Sequence, residues 1–66
     1  MTITYKKLWK LLIDKDLKKT DLIKLANISK ATMNKLSHNQ NVTTEILLRI
    51  CTALNCDIAN IVEVVE

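Results

Sequence analysis

The stretch 26-ANISK-30 lies between two segments with a helical spacing of apolar residues, in a chain of 66 residues without glycine or proline. A helix that ends without glycine needs another residue that tolerates a positive φ, and asparagine is the best substitute. The sequence therefore predicts a left-handed Asn27 that closes one helix, an inward-facing Ile28, and a Ser29 that caps the next helix. Turn geometry alone does not exclude a plain corner between two helices, which is common in any helical bundle.

Apolar residues recur at helical spacing along almost the whole chain, which predicts an all-α fold of five short helices. The expected ranges are about 4–15, 20–26, 30–37, 43–55 and a fifth helix that begins near 57. The buried stripe of the first helix consists of Tyr5, Leu8, Trp9 and Leu12. We find no linker or repeat, so residues 1–66 are expected to form a single domain.

Several polar residues stand where the later helices should begin or end. Thr43 or Thr44 can cap the fourth helix, and Asn55 can close it in the same way as Asn27. Asp57 can cap the fifth helix, which would bury apolar residues of the segment 58–65. This segment is rich in β-branched residues, so it is also compatible with a short strand.

The charge of the chain is unevenly distributed along its length. The net charge is +3, but residues 1–41 hold nine lysines against three aspartates, a net charge of +6. Residues 42–66 hold one arginine against four acidic residues, a net charge of −3. The first part of the chain is therefore the candidate for binding an anionic partner, with a solvated lysine-rich surface as the alternative.

The composition indicates a small globular protein, with 48% hydrophobic and 26% charged residues. No apolar run approaches the ~18 residues of a membrane span, and the N-terminal segment lacks the order of a signal peptide, so we expect a cytoplasmic protein that does not enter membranes. Cys51 and Cys56 are expected to be reduced, buried or half-buried structural thiols rather than metal ligands. We expect no metal, no cofactor and no small-molecule ligand.

Residues 17–39, LKKTDLIKLANISKATMNKLSHN, resemble the Cro/C1-type (xenobiotic-response-element-like) helix-turn-helix regulators. The usual family pattern is Leu-Ser-Gln-x-x-Leu-Ala-x-x-x-Gly-Val-Ser-x-x-Thr-Ile-x-x-Ile-Glu-x-Gly, and the chain follows it at Leu17, Leu22, Ile28, Ser29, Thr32, Met33 and Leu36. Residues 43–62, TTEILLRICTALNCDIANIV, are similar to the closing LETLLKIAKALGVSLDELL of the family. The chain is also similar to the very short members associated with vancomycin-resistance operons. The resemblance implies a compact five-helix, lambda-repressor-like DNA-binding domain.

The chain departs from the family pattern at four positions that bear on the DNA binding that the resemblance implies. Asn27 and Asn39 stand where glycine is usual, and asparagine tolerates the same backbone conformation. Lys18 and Lys19 replace the usual Ser-Gln at the start of the second helix. This replacement weakens the normal helix cap but adds positive charge where the resemblance places DNA.

The resemblance also implies which residues approach double-stranded DNA. An α-helix fits the major groove, where its outward side chains meet base edges. The base-proximal candidates on the third helix are Ser29, Lys30, Ala31, Thr32, Asn34 and Lys35. The phosphate-proximal candidates are Lys18, Lys19, His38, Asn39, Gln40 and Asn41. A solvated surface residue is the alternative for each of them, and for His38 we predict no pH switch.

We therefore expect a sequence-specific DNA-binding regulator, and not an enzyme. A catalytic role finds little support, because there is no glycine-rich phosphate loop and no motif that pairs cysteine with histidine. The alternatives are a helix-turn-helix fold reused for protein interaction, and a helical structural module independent of nucleic acid or a minor enzyme. Leu11, Ile13 and the end 61-IVEVVE-66 are more apolar than solvent contact requires, which makes a homodimer a further possibility.

Overall fold

The computed structural model describes all 66 residues and contains four α-helices, one 3-10 turn and one two-stranded sheet. The elements are β1 (Thr2–Thr4), α1 (Lys6–Asp14), α2 (Lys19–Ala26), α3 (Lys30–Ser37), α4 (Thr44–Leu54), the 3-10 turn (Ile58–Asn60) and β2 (Glu63–Val65). The second, third and fourth predicted helices are confirmed to within one residue at each end. None of the helices combines the length and the apolar character needed to cross a lipid bilayer.

The prediction of an all-α, five-helix fold is wrong at both ends of the chain. Instead of a fifth helix, the chain forms one 3-10 turn and then β2, which pairs antiparallel with β1. The register places Thr2 opposite Val65 and Thr4 opposite Glu63. The β-branched residues of both segments favour this extended pairing, so the first helix begins at Lys6 and not at Thr4.

Four residues other than glycine adopt a positive φ in this glycine-free chain: Asp16, Asn27, Asn39 and Asn55, with φ between 52° and 58°. Asn27 and Asn55 end α2 and α4, as the sequence predicted. The remaining two were not predicted as left-handed from turn geometry. Short polar side chains thus perform the role that glycine usually has at helix ends.

The core lies between the helices and is almost entirely apolar. Its fully or nearly buried members are Tyr5, Leu8, Leu12, Leu22, Ala26, Ile28, Met33, Leu36, Ile50, Cys51, Leu54 and Ile61. Ile46 and Leu47, at the start of α4, are only half-buried. Cys51 is buried and Cys56 is half-buried, so the burial predicted for these two residues is confirmed, and no disulfide joins them in this structure.

Candidate nucleic-acid interface

The corner between α2 and α3 has the geometry that the sequence predicts. Asn27 lies in the left-handed region, with φ 55° and ψ 51°, and ends α2. Ile28 follows with only 7% of its surface exposed, and its N–H donates to the carbonyl of Ile23 at 3.2 Å. The corner therefore places α3 directly after α2 and anchors the junction in the core.

The start of α3 is fixed by side-chain capping. The Ser29 hydroxyl oxygen accepts a hydrogen bond from the Thr32 N–H at 3.1 Å, and its oxygen lies 3.0 Å from the Thr32 hydroxyl. The cap satisfies one of the free amides of the first turn. The two side chains are thus engaged with each other, which limits their freedom to contact a ligand.

Helix α4 braces the corner from the other side. Arg49 donates from Nη1 to the Asn27 carbonyl at 3.2 Å, and its Nη2 lies 3.5 Å from Oε1 of Glu45. The side chains of this ion pair are 44% and 75% exposed, so the pair itself contributes little to stability. The hydrogen bond from Arg49 to the Asn27 carbonyl contributes more to the stability of the corner, because it satisfies a carbonyl at the end of α2.

The outer face of α3 carries the residues predicted to lie near base edges. Lys30, Ala31, Asn34 and Lys35 are all exposed, and their spacing places them on adjacent turns of one helix face. The opposite face buries Met33 and Leu36 in the core. Helix α3 is thus held by its apolar side and presents two lysines, an amide and a methyl group to solvent.

The two lysines at the start of α2 have different surroundings. Lys18 is exposed and provides no side-chain cap; its N–H instead donates to the carboxylate of Asp21 at 2.9 Å. The Lys19 ammonium lies 4.5 Å from the centroid of the Trp9 ring and donates to the Ser37 hydroxyl at 3.2 Å. Lys19 therefore connects α1, α2 and the end of α3, a role that the sequence did not predict.

The loop after α3 is hydrogen-bonded to Thr4 at the end of β1 and to Tyr5, which follows it. Asn39 adopts φ 55°, and its Oδ1 accepts the Tyr5 N–H at 3.3 Å and the Thr4 hydroxyl at 3.5 Å. The Tyr5 hydroxyl donates to the Gln40 carbonyl at 2.8 Å. Burial raises the pKa of the Tyr5 phenol, so this donor keeps its proton at neutral pH.

His38 and Asn41 complete the loop. Nδ1 of His38 lies 2.7 Å from the Asn34 carbonyl, so the ring caps the end of α3. Asn41 is exposed beside a shallow cleft of about 340 Å³, which also has Lys35 and Thr43 in its lining. The cleft, which Val42 and Ile46 also line, therefore joins the loop to the outer face of α3.

The proposed contact residues thus fall into two groups. Exposed side chains without an intramolecular partner are those of Lys18, Lys30, Ala31, Asn34, Lys35 and Asn41. Ser29, Thr32, Lys19, His38 and Asn39 use their side chains in contacts within the protein, and Gln40 uses its carbonyl. The sequence missed Trp9 and Tyr5 as supports of this surface, because their polar partners are distant in the chain.

The fold and the surface together define a helix-turn-helix: two eight-residue helices, a three-residue corner, and a second helix whose polar face is exposed. Residues 7–66 match the family model of the Cro/C1-type helix-turn-helix DNA-binding domain, and the chain belongs to this family. The resemblance seen in the sequence is thereby confirmed. The family is one of DNA-binding domains, and neither the match nor the geometry points to an enzyme.

Among solved structures, the chain is similar to the crystal structure of the transcriptional regulator VanUg, Form II. The TM-score is 0.95 with 48% sequence identity, over 98% of this chain and 87% of that chain. No curated protein matches the sequence. The similarity extends over the sheet as well as the helices, because it covers nearly the whole chain.

Proposed function

We propose that the protein is a transcriptional regulator that binds a specific sequence of double-stranded DNA, with α3 in the major groove. The observation that carries this proposal is the exposed row Lys30, Ala31, Asn34 and Lys35 on a helix fixed at both ends. Lysine side chains bind the O6 and N7 atoms of guanine, asparagine pairs with adenine, and the alanine methyl group packs on the thymine methyl group. The row thus offers both polar and apolar readout of bases.

Contacts to phosphates would come from the elements on either side of α3. Lys18 at the start of α2 supplies a free ammonium, and Asn41 supplies an amide from the following loop. Lys19 and His38 are also candidates, although their side chains already have partners within the protein. Such contacts set the register of a protein on DNA without reading its sequence.

We further propose that two copies bind a two-fold symmetric DNA site. A single domain of this size covers few base pairs, and pairing of two copies increases the contact area and the specificity. Exposed apolar side chains support a second interface: Ile13 is 75% exposed and Val64 is 66% exposed. Sedimentation of the protein with and without a palindromic duplex measures the stoichiometry; a single copy on every duplex would contradict this part.

The test begins with selection of bound sequences from random duplex DNA, followed by titrations on the selected and a scrambled duplex at two salt concentrations. Lys35→Ala should cost about 1–3 kcal/mol on the selected duplex and relax the preference at one base position. Lys18→Ala should weaken binding to both duplexes equally and lower the slope of log affinity against log salt by about one unit.

Lys10→Ala provides a control of equal charge, because Lys10 lines a separate cleft beside Asp14 and Asn60. It should leave both the affinity ratio and the salt slope close to those of the unchanged protein. Circular dichroism of each variant separates lost contacts from lost folding. If Lys35→Ala leaves the ratio of selected to scrambled affinity unchanged, α3 does not read bases through this lysine.

A protein-interaction role is the second candidate, and one observation favours it. Leu25 and Leu48 are 55% and 53% exposed, and they lie on the same groove between α2 and α4. Exposed leucines on one groove are typical of protein contacts. If the protein binds no duplex even at low salt, the DNA-binding proposal fails and this groove becomes the surface to test by substitution of both leucines with serine.

A further inference from the structure

The end of α4 brings the only two cysteines of the chain together. Asn55 is left-handed, with φ 52° and ψ 55°, and the Cys56 N–H donates to the Cys51 carbonyl at 3.0 Å. The Asn55 N–H bonds to the Thr52 carbonyl at 3.4 Å, which completes a Schellman motif. The side chains at the outer positions of this motif commonly contact each other, and here both of them are thiols.

The two thiols differ in access to solvent. Cys51 is 8% exposed and belongs to the core, whereas Cys56 is half-buried. The pKa of the Cys51 thiol is raised, mainly by burial and further by the neighbouring Cys56 and Asp57. The thiolate is the reactive form of cysteine, so we expect the more accessible Cys56 to react first with a reagent from solvent. The buried Cys51 would then react only with the modified Cys56.

We propose that Cys51 and Cys56 form a modification site, at which a small-molecule disulfide converts the two thiols into an intramolecular disulfide. The Cys56 thiolate attacks one sulfur of the reagent, forms a mixed disulfide and expels one thiolate. Cys51 then loses its proton, attacks the Cys56 sulfur and expels the second thiolate. The protein loses two electrons and two protons, and the reagent is reduced to two thiols.

The Schellman motif is what makes closure favourable at this place. The backbones at 51 and 56 are already joined by a hydrogen bond, so the two residues are held close together before the second step. The new ring would tie the last turn of α4 to the segment before the 3-10 turn. This site is separate from the outer face of α3, so the inference does not depend on the proposed DNA binding.

The experiment incubates the reduced protein with excess oxidised glutathione, alkylates the remaining thiols and measures the intact mass. The expected product is a monomer lighter than the reduced chain by two hydrogen atoms, without alkylation and without a glutathione adduct. Cys51→Ser should instead stop at a single glutathione adduct on Cys56. Cys56→Ser should react at least roughly tenfold more slowly, because its remaining thiol is buried.

A second measurement does not depend on the variants folding. Urea unfolding of the unmodified sequence, in its oxidised and reduced forms, shows whether the native fold holds the thiols in a geometry that accepts the bond. The oxidised form should unfold at the higher urea concentration. A lower midpoint for the oxidised form would overturn the proposal, as would a stable mixed disulfide, two adducts or a disulfide-linked dimer in the mass measurement.

Discussion

Replacement of Asn27 tests whether the corner depends on its left-handed backbone. Its φ of 55° is costly for a residue with an ordinary Cβ, by roughly 1–2 kcal/mol. Asn27→Ala should therefore lower the free energy of unfolding by about this amount. In a domain of this size, 1 kcal/mol corresponds to about 4–8 °C in the unfolding midpoint, so we expect a decrease of roughly 5–15 °C.

Asn27→Gly separates the contribution of the backbone conformation to stability from that of the side chain. Glycine adopts the same φ without steric cost, so this variant should stay within about 0.5 kcal/mol of the unchanged protein. Asn39→Gly is the matched contrast, because glycine keeps the φ but loses the Oδ1 that accepts the Tyr5 N–H. It should cost about 0.5–1.5 kcal/mol.

Thermal unfolding followed by circular dichroism measures all three variants. The reasoning about the corner is refuted if Asn27→Ala unfolds at the same temperature as the unchanged protein. It is also refuted if Asn27→Gly is as destabilising as Asn27→Ala, because the side chain and not the backbone would then hold the corner.

Three further predictions concern stability. Ser29→Ala should cost about 1 kcal/mol in thermal unfolding through loss of the cap, and an unchanged midpoint would contradict the cap. Glu45→Ala should change the unfolding free energy by no more than about 0.5 kcal/mol, because its ion pair is exposed. Burial raises the pKa values of Cys51 and Tyr5 in the folded protein above their ordinary 9.0 and 10.0. Under reducing conditions, the free energy of unfolding should therefore keep the whole contribution of these two groups below their ordinary pKa values and lose it as the pH rises through the raised ones. Tyr5→Phe should flatten the fall above pH 10.0 in urea titrations, and an equal slope would contradict the assignment to this phenol.

Local patterns in the sequence were enough to predict the corner. The left-handed Asn27, the buried Ile28 and the capping Ser29 all follow from preferences that act within a few residues. The apolar stripe of the first helix was also predictable in large part: Leu8 and Leu12 are buried as expected, and so is Tyr5 just before the helix, whereas Trp9 is only half-buried. Each of these features depends on neighbours in the chain, which a single sequence displays directly.

Features that join distant parts of the chain were not predictable in this way. The strand Glu63–Val65 has only three residues, and its choice of β1 as partner involves residues at the other end of the sequence. The contact of Lys19 with Trp9, and that of Tyr5 with Gln40, likewise follow from packing of elements and not from spacing. The sequence therefore predicted which face of α3 is exposed, but not the contacts that hold the helix in place.

Strand β1 connects the small sheet to the loop after α3. Thr4 pairs with Glu63 in the sheet, and its hydroxyl also contacts Asn39 in the loop after α3. We therefore expect fraying of β2 to loosen β1 and, through Thr4, the loop that flanks the exposed helix. A proteolytic cut that removes β2 should make this loop more mobile before any helix unfolds. Hydrogen exchange of the Tyr5 amide, which donates to Asn39 in the loop, should therefore accelerate before exchange within the helices.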